Sequence, residues 1–141
     1  MIREMQNSDL PAVMQIWFAS NCDTHPFIEK SYWESSLPFV AQSVAQAEVY
    51  VAVEKDSIIG FVGLGKNGYI EGIFVAKTMR SQGVGKQLLD FVKAKYDSLS
   101  LSVYCANTRA VSFYQREGFC ILTEQVDEPT HAAEYTMLWT R

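Results

Sequence analysis

The chain has 141 residues and a formal net charge of −4, with 48% hydrophobic and 20% charged residues. This size and balance predict one globular domain with its own core, and the acidic charge without a Lys/Arg cluster argues against nucleic acid as the main partner. No apolar run reaches the roughly 18 residues of a membrane helix and no leader pattern opens the chain, so we expect a cytoplasmic protein without a membrane partner.

The first third of the chain predicts a short strand followed by two helices. The strand at 2–5 is followed by Ser8 and Asp9, a helix N-cap signal, and then by apolar residues at helical spacing. A second helix is predicted at 28–44, where we expect Pro38 to cause a kink or a break.

The rest of the chain predicts a mixed sheet with two further helices. Runs of β-branched and aromatic residues predict strands at 49–54, 58–64, 69–76, 99–104, 119–126 and 134–139. The first three of these form an antiparallel meander, and the last two form a hairpin. A helix that starts at a glycine loop after 69–76 crosses back to a parallel strand at 99–104, and another helix covers 107–117.

The glycine loop, Arg80-Ser81-Gln82-Gly83-Val84-Gly85, predicts an anion site. Amides in the first turn of a helix lack intrahelical acceptors, and glycine leaves no side chain between them and a phosphate. With Arg80 and Lys86 at its edges, we expect the loop to bind a diphosphate on the amides of 81–86. A Walker A loop would need Ser or Thr at Gln87, and a dinucleotide fingerprint would need glycine at Leu88, so both alternatives fail.

Two motifs give the chain a family resemblance. The loop has the form R-x-x-G-x-G after a hydrophobic strand, and residues 101–119 match L-x-V-x-x-x-N-x-x-A-x-x-F-Y-x-x-x-G-F in order and spacing. Together they resemble the signatures of GNAT-type N-acetyltransferases. The quartet Thr-His-Pro-Phe at 24–27 also resembles a segment of a small bacterial branch of that superfamily, the YiaC and YjaB type. Lys77 and Ser81 replace a frequent proline and a frequent glycine, which removes no amide.

The resemblance implies both a fold and an activity. The implied fold is α/β (α+β), with a mixed, mostly antiparallel sheet of about seven strands, about four flanking helices and a splayed parallel pair that holds the cofactor. The implied reaction moves an acetyl group from acetyl-CoA to a primary amine by direct attack in a ternary complex. The amine is a protein lysine, a protein N-terminus or a small molecule. A non-catalytic acyl-CoA sensor is the alternative, and the protein is a monomer or a homodimer.

The resemblance also assigns the cofactor contacts. Backbone groups of a splayed strand would grip the pantetheine arm, and Asn107 resembles a residue that contacts the same arm, although asparagine there also suits a helix N-cap. The expected cofactor-binding residues are Phe74, Val75, Arg80, Ser81, Gln82, Gly83, Val84, Gly85, Lys86, Asn107 and Tyr114. We expect no metal site, because the three cysteines are widely spaced.

Tyr114 is the expected general acid and Glu71 the expected base. An unperturbed tyrosine with a pKa of about 10 is protonated at neutral pH, and a thiolate leaving group can accept its proton. Under strict strand alternation Glu71 shares a face with Ile73 and Val75, which would place its carboxylate in the cleft, and a bulge would reverse that inference. His25 is the alternative base, and loop packing is its simpler interpretation.

The acceptor is expected to bind where the segment between the first two strands meets the last hairpin. The resemblance implies that this segment forms one wall of the acceptor cleft, and carboxylates there would attract a cationic amine. The expected substrate-facing residues are His25, Phe27, Glu71 and Asp127.

Overall fold

The computed structural model describes residues 1–141, which form one seven-stranded sheet with helices on both faces. In chain order the elements are β1 (Ile2–Glu4), α1 (Leu10–Thr24), α2 (Lys30–Gln46), β2 (Glu48–Glu54), β3 (Ser57–Leu64), β4 (Tyr69–Val75), α3 (Val84–Lys93), β5 (Ser98–Tyr104), α4 (Thr108–Arg116), β6 (Cys120–Asp127) and β7 (Ala132–Thr140). The strand order is β1-β2-β3-β4-β5-β7-β6, and only β4 and β5 run parallel. The predicted fold class is confirmed. None of the helices has the length and apolar character required to cross a bilayer.

Two predicted details near the N-terminus differ in the structure: the break at Pro38 is absent, and the N-cap of α1 is Asp9 by position only. Asp9 does not cap α1 with its side chain. Its carboxylate instead accepts hydrogen bonds from the Arg3 guanidinium at 2.7 and 3.1 Å and from the Gln6 amide at 2.7 Å. The helix α2 continues through Pro38, because one missing backbone donor is tolerated when the helix is held by packing, and Trp33 buries its inner face.

Two hydrophobic cores, one on each face of the sheet, hold the central strands. The α3/α4 core contains Leu88, Leu89, Val92, Leu101 and Met137, all at most 1% exposed. The α1/α2 core contains Val13, Trp17, Trp33, Val51 and Phe61. Each such side chain contributes about 1.5–3 kcal/mol on burial, so β4 is fixed firmly between the two layers.

The parallel pair β4 and β5 is joined only where the two strands begin. The ladder consists of Tyr69 opposite Ser100 and Ile70 opposite Leu101, and it ends there although both strands continue. Beyond Ile70 the strands separate and leave a V-shaped gap in the middle of the sheet. The splayed parallel pair that the family resemblance implied is therefore present.

Candidate active site

The gap between β4 and β5 exposes backbone hydrogen-bonding groups. The Ala76 amide donates to the Ile59 carbonyl oxygen at 2.8 Å, so alternation along the β3–β4 ladder directs the N–H and C=O groups of Ile73 and Val75 away from β3. These groups face the gap. The side chains of Ile73, Phe74 and Val75 line the same opening. An extended ligand can pair with such an edge as another strand would.

The glycine loop presents a row of free amides at the end of this gap. The amides of 81–86 donate to no acceptor in the protein, and the first bond of α3 runs from the Gln87 amide to the Gly83 carbonyl oxygen at 3.0 Å. Gly83 has φ 84°, and a side chain there would enter open space. Ser81 also has a left-handed backbone, with φ 65°, a conformation that favours glycine. The loop is therefore a cradle that suits a diphosphate.

The predicted basic residues of the loop each have an acidic partner. Arg80 Nη1 lies 2.5 Å from Asp23 Oδ2 on α1, and hydrogen bonding to Arg80 lowers the pKa of Asp23. Lys86 Nζ lies 3.0 Å from Asp90 and 3.2 Å from Glu117, which raise the pKa of Lys86. A phosphate at the loop would thus share both cations with carboxylates of the protein.

Gln82 and Val84 occupy opposite sides of the loop. Gln82 is exposed, and its side-chain amide donates to the Thr78 carbonyl oxygen at 3.4 Å. Val84 is 5% exposed and packs in the α3/α4 core. These two residues can offer their backbone amides to a ligand, whereas their side chains serve the loop and the core.

Arg109 is a basic residue of the site that the sequence analysis missed. Its Nη2 donates to Ser81 Oγ at 2.5 Å. Of the four Arg and Lys side chains that line the cleft, Arg109 alone has no carboxylate partner; the others are Arg80, Lys86 and Arg116. The sequence could have indicated this residue. A basic side chain in the first turn of α4 interacts unfavourably with the helix dipole, and such a placement suggests that it binds an anionic ligand.

One cleft of about 1030 Å³ connects the loop, the gap and the wall opposite. Its charges are divided between its two ends, with the four basic side chains around the glycine loop. The other end carries the carboxylates of Glu71, Asp127 and Glu134, none of which forms an ion pair. The cleft is therefore suited to an anion at one end and a cation at the other.

Tyr114 projects from α4 into the core and reaches the cleft. It is 7% exposed, and its ring packs edge-on against Phe113 at 5.2 Å and Phe119 at 5.5 Å. Burial raises the pKa of its hydroxyl above the usual range. The hydroxyl makes no hydrogen bond within the protein, and the side chain lines the cleft. Tyr114 is thus both a packing residue and a protonated group at the cleft wall.

Asn107 and His25 are joined in a hydrogen-bond chain between α4 and α1. Asn107 Oδ1 accepts from the Ala110 amide at 3.2 Å, so it does cap α4, and its Nδ2 donates to His25 Nε2 at 3.1 Å. His25 Nδ1 lies 3.0 Å from Asn21 Oδ1, to which it donates. Burial lowers the pKa of His25 to about 4, so the ring is neutral at pH 7 with both nitrogens already in use.

The predicted strand alternation at Glu71 is wrong, because β4 contains a bulge. The register shifts so that Gly72 lies opposite Gly63 and Ile70 opposite Leu64, which leaves Glu71 as the extra residue. Ile73 and Val75 pack against the α3/α4 core. Glu71 instead lies beside Gly63 and Val49, on the α1/α2 face of the sheet.

The Glu71 carboxylate nevertheless lines the cleft, from the acceptor side. It is exposed and takes part in no hydrogen bond or ion pair. It lies above Gly65, where a Cβ atom would be only 2.7 Å from Glu71 Oε1. The absence of a side chain at Gly65 therefore makes room for this carboxylate.

Asp127 lines the cleft at the end of β6, whereas Phe27 lies in the loop between α1 and α2 and is not a lining residue. Asp127 accepts a hydrogen bond from the Tyr104 hydroxyl at 3.0 Å. Phe27 is 44% exposed, and its ring centroid lies 5.7 Å from that of Tyr104. Tyr104 and Tyr32 also line the cleft, and the sequence analysis singled out neither.

The cleft combines free amides that suit a diphosphate, a strand edge that suits an extended arm and an acidic end that suits a cation. Together these features indicate a group-transfer enzyme with an anionic donor and a cationic acceptor. Comparison with known proteins agrees with this class. A sequence model described as "Acetyltransferase (GNAT) domain" matches residues 25–135. The chain is 35% identical over 140 residues to the peptidyl-lysine N-acetyltransferase YiaC of Escherichia coli, covering 99% of this chain and 96% of that protein.

Two solved structures are similar to the whole chain. The solution structure of apo YjaB from E. coli has a TM-score of 0.87 at 25% identity, with 99% and 96% of the two chains covered. The PaiA N-acetyltransferase of Thermoplasma acidophilum, solved with coenzyme A, has a TM-score of 0.82 and shares the fold at 18% identity, with 100% and 98% covered. The chain belongs to the GNAT acetyltransferase family, and it is an N-acetyltransferase.

Proposed function

We propose that the protein transfers the acetyl group of acetyl-CoA to lysine side chains of polypeptides. The observation that carries this proposal is the single cleft that joins the free amides of 81–86 to the carboxylates of Glu71, Asp127 and Glu134. A lysine ammonium suits the acidic end. The name of the similar protein YiaC, a peptidyl-lysine N-acetyltransferase, supports lysine over other amines.

The loop and the gap are suited to the two parts of the donor. Acetyl-CoA, when bound, supplies a thioester whose carbonyl carbon an amine can attack. The amides of 81–86 and the unpaired guanidinium of Arg109 would bind the diphosphate. The backbone groups of Ile73 and Val75 would bind the pantetheine arm, and an amide there would donate to the carbonyl oxygen as it gains negative charge.

Two side chains would handle the protons of the reaction. Glu71 would take a proton from the lysine ammonium, directly or through a water, because its carboxylate is free whereas both nitrogens of His25 are engaged. As the new C–N bond forms and the C–S bond breaks, Tyr114 would donate its hydroxyl proton to the departing thiolate. The nitrogen would lose its second proton once the C–N bond has formed, and this proton would restore Tyr114 through solvent. Glu71 would release the first proton to bulk water.

The proposal is tested with three acceptors and acetyl-CoA: a single-lysine peptide with a blocked N-terminus, a lysine-free peptide with a free N-terminus, and a small diamine. Release of CoA and mass spectrometry of the products are measured. We expect acetylation of the lysine Nζ atom and little reaction of the other two. Reaction of the small diamine alone would contradict the choice of acceptor, and CoA binding without any turnover would identify a sensor instead.

The position of the Glu71 carboxylate can be tested without changing Glu71. Gly65→Ala places a methyl group 2.7 Å from Oε1, and the flexible side chain can move away at little cost in stability. If Glu71 is the base, this displacement should lower kcat by about tenfold, since proton transfer depends on hydrogen-bond geometry. The melting temperature and the CoA affinity should stay unchanged.

Gly63→Ala is the matched control for that variant. It adds the same methyl group two residues earlier, within β3, but its nearest neighbours, Glu71 Cβ and a Val49 methyl, would lie at 4.0 Å, an ordinary contact. We expect its kcat to equal that of the wild type. Equal kcat for the two alanine variants would remove Glu71 from the mechanism.

A further inference from the structure

The Asp127 carboxylate is held in place but keeps an uncompensated charge. Its Oδ2 accepts two hydrogen bonds, from the Tyr104 hydroxyl at 3.0 Å and from Thr130 Oγ1 at 2.7 Å. Its Oδ1 accepts none, and no basic side chain forms an ion pair with it. A carboxylate oriented in this way by neutral donors can still accept a cation.

Aromatic rings of the cleft wall lie near this carboxylate, and Phe27 packs against one of them from outside the lining. The ring centroid of Tyr104 lies 5.7 Å from that of Phe27 and 5.0 Å from that of His25. Tyr32 is close as well, since burial and then the charge of Asp127 raise its pKa. Phe27 is 44% exposed, which leaves an apolar ring face in solvent next to the Tyr104 ring, whose hydroxyl bonds Asp127. A cation on an aliphatic stem satisfies both features at once.

Trp33 adds an unused donor to the same wall. It is 6% exposed and lines the cleft, and its ring centroid lies 4.9 Å from that of Tyr32. Its indole N–H is buried and has no hydrogen-bond acceptor in the protein. Buried donors are nearly always paired, so a small movement of this ring toward the cleft would let a carbonyl of a bound polypeptide accept from it.

We propose that Asp127, Tyr104 and Phe27 form a subsite for a second basic side chain of the acceptor, so that the enzyme prefers lysines that have a basic neighbour. The inference rests on the proposed function, because it needs a polypeptide acceptor. It goes further in assigning this wall to a Lys or Arg side chain other than the one that is acetylated.

The strand order predicts how far that neighbour lies from the reacting lysine. Glu71 is on β4 and Asp127 is on β6, three strands away in the order β4-β5-β7-β6. At roughly 4.8 Å per strand the backbones are about 14 Å apart across the sheet. Asp127 also lies about four residues further along the strands, because it pairs with Ala132, beyond the level of Tyr104, whereas Glu71 lies near the level of Leu101. The total is about 20 Å before side-chain reach shortens it. An extended peptide advances about 3.4 Å per residue, so we expect the basic residue three to six positions from the lysine.

The test compares single-lysine peptides that carry Arg, Ala or Glu at one position, three to six residues to either side of the lysine. For each peptide kcat/KM is measured, and binding in the presence of CoA is followed by fluorescence anisotropy. In the best register we expect the wild type to favour the Arg peptide over the Ala peptide about tenfold in both readouts. Asp127→Asn should reduce this ratio to less than about twofold, and Phe27→Ala should reduce it about threefold.

Glu128→Gln is the control, because it removes the same charge from an exposed neighbour outside the cleft. It should keep the wild-type ratio. An equal fall of the ratio in Glu128→Gln and Asp127→Asn would indicate long-range attraction and overturn the subsite. Equal use of Arg and Ala peptides by the wild type would also overturn it while leaving lysine acetylation intact. Failure to acetylate any lysine peptide would instead contradict the proposed function.

Discussion

Replacement of Tyr114 by phenylalanine should lower kcat by about 100-fold, the low end of the range for a general acid, because a thiolate leaves readily. The ring packing against Phe113 and Phe119 is kept, and the lost hydroxyl makes no hydrogen bond in the protein. The free energy of unfolding and the affinity for acetyl-CoA should therefore change little. Steady-state kinetics on the best lysine peptide, calorimetry and thermal unfolding give the three readouts.

The pH dependence of the fall in kcat of Tyr114→Phe tests the same role a second time. Because burial raises the pKa of Tyr114, its hydroxyl stays protonated throughout an assay between about pH 6 and about pH 9. The ratio of wild-type to variant kcat should then be the same across that range.

Tyr135→Phe is the matched control. It removes a hydroxyl from a residue packed on the same core but outside the cleft, and it should be fully active. Full activity of Tyr114→Phe would leave Tyr114 with a packing role only.

Gly83→Ala should weaken CoA binding by about 10- to 100-fold, which corresponds to the loss of one charge-assisted hydrogen bond of about 1.5–3 kcal/mol. The added methyl group enters the open space in front of the free amides, where we expect the diphosphate. The left-handed backbone, with φ 84°, also makes alanine less favourable by about 1–2 kcal/mol. Calorimetry with CoA measures the first effect, and thermal unfolding of the free protein measures the second.

Gly118→Ala separates these two effects. Gly118 has φ 96° and lies just after α4, outside the cleft, so its alanine variant suffers the same backbone strain and a close contact with Trp139. We expect it to lose stability but to bind CoA as tightly as the wild type. If Gly83→Ala also binds CoA with wild-type affinity, the glycine loop is not the phosphate site.

The sequence was sufficient to predict most elements because the period of its apolar residues differs between them, and the family resemblance implied how the sheet is splayed. Alternation predicted the strands, a period near 3.6 predicted α3, and glycine residues marked where α3 begins. At Pro38 the same reasoning allowed a break in the helix that the structure does not have. A proline inside a helix removes one hydrogen bond, and tertiary packing of residues such as Trp33 outweighed that loss.

The candidate site was predictable where it depends on backbone and local spacing. The loop of 80–85 and the position of Tyr114 follow from motifs within single segments. The face that Glu71 occupies was not predictable, because a bulge depends on how β3 and β4 pair, and one extra residue reverses the side of the sheet. The protonation state of His25 was not predictable for a similar reason, because its lowered pKa results from burial against residues that are distant in sequence.

By itself the sequence determined the order of elements, the free amides of the glycine loop and the tyrosine within the second motif, because each is encoded within a few adjacent residues. Only the tertiary structure decided which charges remain unpaired. Arg80 faces Asp23 from a segment 57 positions away, whereas Arg109 and Asp127 have no partner of opposite charge. The interaction of two charges depends on their distance in space, which separation along the chain does not specify.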